Sequence, residues 1–139
     1  MEFRQSGHLN PALRDPAARE ANAEKLSGRW VNTNRETRGV AEIVVAQEDG
    51  RFAVRVKGVG EGGLVEWPRC EPRVLANLEE EAGQRAVALA CDFDFPFMRA
   101  ATHLRVNKGV LVIVLFVTFR DGSGRADYVN REFFHRAEG

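Results

Sequence analysis

Apolar–polar alternation from Arg29 onward, tight-turn signals at short intervals and no strand–helix–strand unit predict an all-β protein. The expected architecture is an antiparallel up-and-down meander of eight or nine strands, with one short helix ahead of the first. A meander of that size has two edges to protect, and closing it into a β-barrel abolishes them. A barrel of about eight strands leaves room inside for side chains or one small ligand.

Met1–Arg14 is polar and reads as a flexible N-terminal segment, so residues 15–139 form the single domain. Asp15 before Pro16 is an N-cap followed by proline at the first helical position, and Ala17–Leu26 is rich in helix formers. Gly28 ends that helix, whose alanine side suits a lid or plug. Arg29–Asn34 is the first strand. Val40–Glu48 and Arg51–Val59 form a hairpin around Asp49 and Gly50. Its register checks itself, because Val45 then meets Val54 and Ile43 meets Val56 on one face, while Glu48 meets Arg51 and Glu42 meets Lys57 on the other.

Leu64–Trp67 is a short strand, and Pro68 and Pro72 force an irregular connection after it. Arg73–Leu78 and Arg85–Phe93 pair around Glu79–Gln84. Met98–Val106 and Val110–Phe119 pair around Asn107–Gly109, with Val106 facing Val110. Met98, Ala100, Thr102, Leu104 and Val106 then point inward, as do Val110, Val112, Val114 and Phe116. Asp121–Gly124 turns the chain into Arg125–Arg136, pairing Thr118 with Asp127, Phe116 with Val129, Val114 with Arg131, Val112 with Phe133 and Val110 with His135.

Twenty basic residues balance twenty acidic ones without a long run of either sign, which argues against nucleic-acid binding. The longest apolar run is too short for a membrane-spanning helix, and the first twenty residues lack the apolar core of a signal peptide. Cys70 and Cys91 are too few and too far apart for a zinc motif or a disulfide framework. The chain reads as cytoplasmic, with both thiols reduced and with no metal or cofactor.

Gly28, Arg29 and Trp30, at the start of the first strand and just after a short helix, resemble the Gly-x-Trp signature of the calycin superfamily of lipocalins, fatty-acid-binding proteins and avidins. The order of elements is similar over most of the chain, while the sequence-specific match is three or four residues. The resemblance implies a lipocalin-like barrel and a basic residue from the last strands packed across Trp30. Arg131 is the first match for that residue and Arg136 the second. Without a signal peptide or disulfides, the chain is more similar to intracellular, bacterial lipocalin-like barrels. Asn32 stands where avidins carry a biotin contact, but the aromatic remainder of that site is missing.

Trp30 and Arg131 therefore close the barrel. The expected ligand wall is Ile43, Phe52, Val54, Phe93, Met98, Leu104, Val114 and Phe116, with Asn32 and Arg131 as polar anchors. Such a wall suits sequestration or carriage of a small hydrophobic molecule. A cofactor-independent cyclase or isomerase of a polyene or polyketide-like intermediate is the alternative, with Asp127 and His135 as candidate acid and base. Leu111, Ile113, Leu115, Val117 and Phe119 would point outward, an apolar stripe that a homodimer through 111–119 would cover.

Overall fold

The computed structural model describes residues 23–49, 51–76 and 86–137. Nine strands form one antiparallel sheet: β1 (Gly28–Asn32), β2 (Val40–Glu48), β3 (Arg51–Gly60), β4 (Gly63–Glu66), β5 (Arg73–Ala76), β6 (Ala86–Asp94), β7 (Met98–Asn107), β8 (Val110–Phe119) and β9 (Tyr128–Arg136). Their spatial order is β4-β3-β2-β1-β9-β8-β7-β6-β5. The first and last strands thus meet in the middle of the sheet, and every other neighbour follows in sequence. The ladder is open, with β4 and β5 at its edges. Of the expected N-terminal helix, only Ala23–Leu26 is described, and it forms one 3-10 turn. The expected tail at 1–14 and the turn at 79–84 lie outside the described residues. Among the described residues no helix is long and apolar enough to cross a membrane.

The β2–β3 hairpin has the expected register, with Val45 opposite Val54, Ile43 opposite Val56, Glu48 opposite Arg51 and Glu42 opposite Lys57. Its apolar set is buried and its charged set faces out. The β7–β8 hairpin differs by one residue. Asn107 faces Val110 and Val106 faces Leu111, so the turn is Lys108–Gly109 alone. Both residues have positive φ, 52° and 80°, as the tight two-residue turns favoured in hairpins require.

That slip reverses every side chain of β8, because strand side chains alternate. Leu111, Ile113, Leu115 and Val117 are buried; Val110, Val112 and Val114 are half-buried on the outer face, and Phe116 is exposed there. The β8–β9 register is as expected across Phe116–Val129, Val114–Arg131 and Val112–Phe133, so β9 reverses with β8. Arg131 and His135 consequently face outward and Phe134 inward, fully buried. The ladder also stops short of the expected Thr118–Asp127 pair, since β9 begins at Tyr128. There the Asp127 carboxylate accepts a hydrogen bond from the Phe119 N–H at 3.0 Å. The outward apolar stripe of β8 is therefore Val110, Val112, Val114 and Phe116, whereas Leu111, Ile113, Leu115 and Val117 are buried and Phe119 packs half-buried against the core.

The inward side chains form one core, in which Trp30, Ile43, Leu89, Phe93, Leu104, Leu111, Ile113 and Phe134 are fully buried. Each such side chain contributes roughly 1.5–3 kcal/mol on burial.

Candidate functional site

All the predicted site residues but Asp127, which precedes β9, lie in strands, and the sheet separates them. Ile43, Phe52, Val54, Phe93 and Leu104 are buried in the core, and Met98 packs against it half-buried. Val114, Phe116 and Arg131 stand on the outer face and line no interior, because the β7–β8 turn is one residue shorter than expected. Asp127 and His135 are exposed on the outer side, Asp127 holding the β8–β9 corner and His135 meeting the Arg136 carbonyl at 3.2 Å.

The junction of β1 and β9 is closed. Trp30 faces Arg136 across the ladder, and the Arg136 guanidinium lies over the indole at 4.4 Å from the ring centre. The basic residue across Trp30 is thus Arg136; Arg131 lies instead 6.0 Å from the Phe133 ring. Arg136 also donates to the carbonyls of Ser27 and Lys25, and the Trp30 indole N–H donates to the Leu26 carbonyl at 2.8 Å. A Cβ at Gly28 would stand 2.5 Å from the Arg136 guanidinium, and its φ of 135° is one that favours glycine.

Asn32, expected as a ligand anchor, is buried and already committed. Its amide donates to the Val40 carbonyl at 2.8 Å and to Glu132 at 3.0 Å, and its oxygen accepts from the Asn34 N–H. The Glu132 carboxylate also accepts from the Thr37 hydroxyl at 2.5 Å and the Val40 N–H at 3.1 Å. This inward carboxylate of β9 fastens the β1–β2 loop beneath the core. With β9 reversed, it takes the inward position expected for Arg131.

The junction of β3 and β5 is a different construction. β4 pairs with β3 over Lys57–Gly60, and the Trp67 N–H donates to the Val56 carbonyl at 2.8 Å. Residues 67–72 then leave the ladder, and β5 pairs with β6 alone. Alternation from Val56 turns the backbone groups of Val54 and Phe52 toward this gap, where no strand pairs with them among the described residues. Trp67 bridges the two sides by packing edge-on against Phe93 and Phe95, at 5.2 and 5.3 Å between ring centres.

Below Trp67 the gap is a cleft of about 630 Å³, lined by Glu48 and Arg51–Arg55 on one side and Arg69–Leu75 on the other. Core-facing Phe52 and Val54 line it together with outward Arg51 and Arg55, so it opens through the sheet rather than along one face. A second hollow of about 640 Å³, beside Trp67 and Phe95, shares Val54, Arg55 and Arg69 with it. Four arginines (51, 55, 69 and 73) face two glutamates (48 and 71) in the cleft. Of these four arginines only Arg55 has a carboxylate partner among the described residues, Glu48 at 3.8 Å.

Cys70 lines this cleft, and Cys91, distant in sequence, lies in the core. Cys70 is half-buried in the cleft wall and packs against the core that contains Cys91, which is itself buried. The hydrogen bond from Cys91 holds the Cys70 thiol below its ordinary range, against the opposing effect of burial. The same bond and burial push Cys91 far up. Among the described residues no group of three or more His, Cys, Asp or Glu is placed to hold a metal.

Sequence reasoning found Phe52 and Val54 but not the opposite wall. Pro68 and Pro72 signalled an irregular connection, without saying which strand it would face. Comparison of the chain with protein families, with curated proteins and with solved structures finds no match.

Proposed function

We propose that this protein binds a small molecule with an apolar body and an anionic head in the cleft between β3 and β5, for sequestration or carriage. The observation that carries this reading is the cleft itself, arginine-rimmed outside and apolar where Phe52, Val54 and Val74 lead toward the core. Its volume is in the range of small-molecule sites, roughly 300–1,000 Å³. Planar arginine forks suit a carboxylate, sulfate or phosphate head.

In this reading β4 and β5 are two halves of one closing strand of a calycin-like barrel, interrupted by residues 67–72. The alternating antiparallel ladder gives β4 and β5 the same direction, as halves of one strand require. Trp30 beneath Arg136 agrees with the resemblance carried by Gly28 and Trp30. The cyclase or isomerase reading lacks comparable support, since its acid and base, Asp127 and His135, do not line the cleft. The same reading covers the outer face of β8 and β9 with a second copy, because Phe116 and its cross-strand neighbour Val129 are exposed there, as is Phe133 opposite Val112.

Titration with a fluorescent long-chain fatty acid tests the binding claim, with the matching neutral alcohol as control. One site per chain and clearly weaker binding of the alcohol are expected. No saturable binding, or equal affinity for acid and alcohol, would overturn it.

A further inference from the structure

We propose that Cys70 and Cys91 form a redox-active dithiol, which hydroperoxides oxidise to an intramolecular disulfide that ties residues 67–72 to β6. The proposal stands on how the two thiols are placed and is independent of what the cleft binds. Cys91 lies on β6 with its side chain in the core, 1% exposed, and Cys70 lies on the connection packed against it. Trp67 packs 5.2 Å from Phe93 and Arg73 pairs with Ala90, so the connection between them runs along β6 at Cys91, and Cys70 alone of the two lines the cleft. The Thr102 hydroxyl, which donates to the Cys91 carbonyl at 2.9 Å, pins the strand beneath the pair.

This arrangement divides labour as dithiol chemistry requires. An accessible sulfur that gains charge readily is the one that attacks an oxidant, and a neighbouring protected thiol resolves the product. Cys70 is the accessible sulfur, and the Cys91 S–H donates to it, stabilising its thiolate. Arg69 and Arg73 line the same cleft wall, while the nearby Asp92 carboxylate opposes charge on Cys70. Cys91, buried and held protonated, is shielded from direct attack.

In the first step the Cys70 thiolate attacks one peroxide oxygen. The O–O bond breaks, the distal oxygen leaves with a proton as water or alcohol, and Cys70 becomes a sulfenic acid. In the second step the Cys91 sulfur attacks the Cys70 sulfur. The S–S bond forms, the S–O bond breaks, and the hydroxide leaves as water with the proton from Cys91. Two thiols lose two electrons and two protons in all, and the peroxide gains them.

The test is the intact mass of the full chain under denaturing, non-reducing conditions after brief exposure to hydrogen peroxide, followed by peptide mapping. The expected result is loss of two hydrogen masses, reversed by a thiol reductant, with one cross-linked peptide pair containing Cys70 and Cys91. In Cys91→Ser the sulfenic acid at Cys70 should persist and be trapped by dimedone, and in Cys70→Ser Cys91 should stay unmodified. Oxygen adducts on Cys70 of the wild type without a cross-link, a cross-link only between chains, or no change of mass would each overturn the proposal.

Discussion

Where β1 meets β9 the ladder runs from Trp30–Arg136 to Asn32–Phe134, and the polar groups at the junction have partners. Where β3 faces β5 no ladder forms, and four arginines share a cleft with two glutamates. Both junctions use arginine, but in opposite ways. Arg136 spends its guanidinium on an indole and two carbonyls, so it holds the sheet together and has little left for a ligand. Among the described residues only one of the four cleft arginines, Arg55, has a carboxylate partner, Glu48 at 3.8 Å. Stability should therefore respond to the first junction and binding to the second.

The largest expected effect is at Trp30. Truncation to alanine empties a fully buried aromatic site and should destabilise the fold by about 3–5 kcal/mol in denaturant unfolding. Replacing Glu132 with alanine comes next. It leaves the Val40 N–H and the Asn32 amide short of an acceptor, and each such loss costs about 1–3 kcal/mol. Arg136→Ala should cost less, about 1–2 kcal/mol, from the lost indole contact and two hydrogen bonds. Its effect should be non-additive with Trp30→Ala in a double-mutant cycle, and full additivity would refute their pairing. Arg55→Glu combined with Arg73→Glu should leave stability within about 0.5 kcal/mol of the wild type and abolish fatty-acid binding. Comparable losses of stability at both junctions would erase the contrast.

The smallest effect concerns pH. His103, on the outer face of β7, is held below its ordinary value of 6.5 by burial and then by Arg105. The folded chain thus binds fewer protons than the unfolded one between that depressed value and 6.5. Stability should rise with pH through this window and fall as the pH drops through it, and His103→Gln should flatten the slope.

Legibility in the sequence followed the charges. The β2–β3 register could be read because Glu42 and Lys57, and Glu48 and Arg51, mark one face as outward while valines mark the other. β8 carries apolar residues on both faces, so only the length of the turn before it decides which is buried. Taking Asn107–Gly109 as the turn, where Lys108–Gly109 suffices, turned β8 and β9 over together. That one residue explains why Arg131, Val114 and Phe116 were expected inside and why Arg136 came second for Trp30. The cleft was hidden for another reason. It exists where β3 outlasts its pairing with β4, a property of two distant segments that no local pattern encodes.

Mapping a fatty acid onto the isotope-labelled chain by backbone and methyl chemical shifts tests the central claim most directly. Saturable shifts should cluster at Phe52–Arg55 and Arg69–Leu75, on both sides of the cleft. Shifts confined to Val112, Phe116, Val129 and Phe133 on the outer face, or to Leu104 and Ile113 in the core, would contradict it.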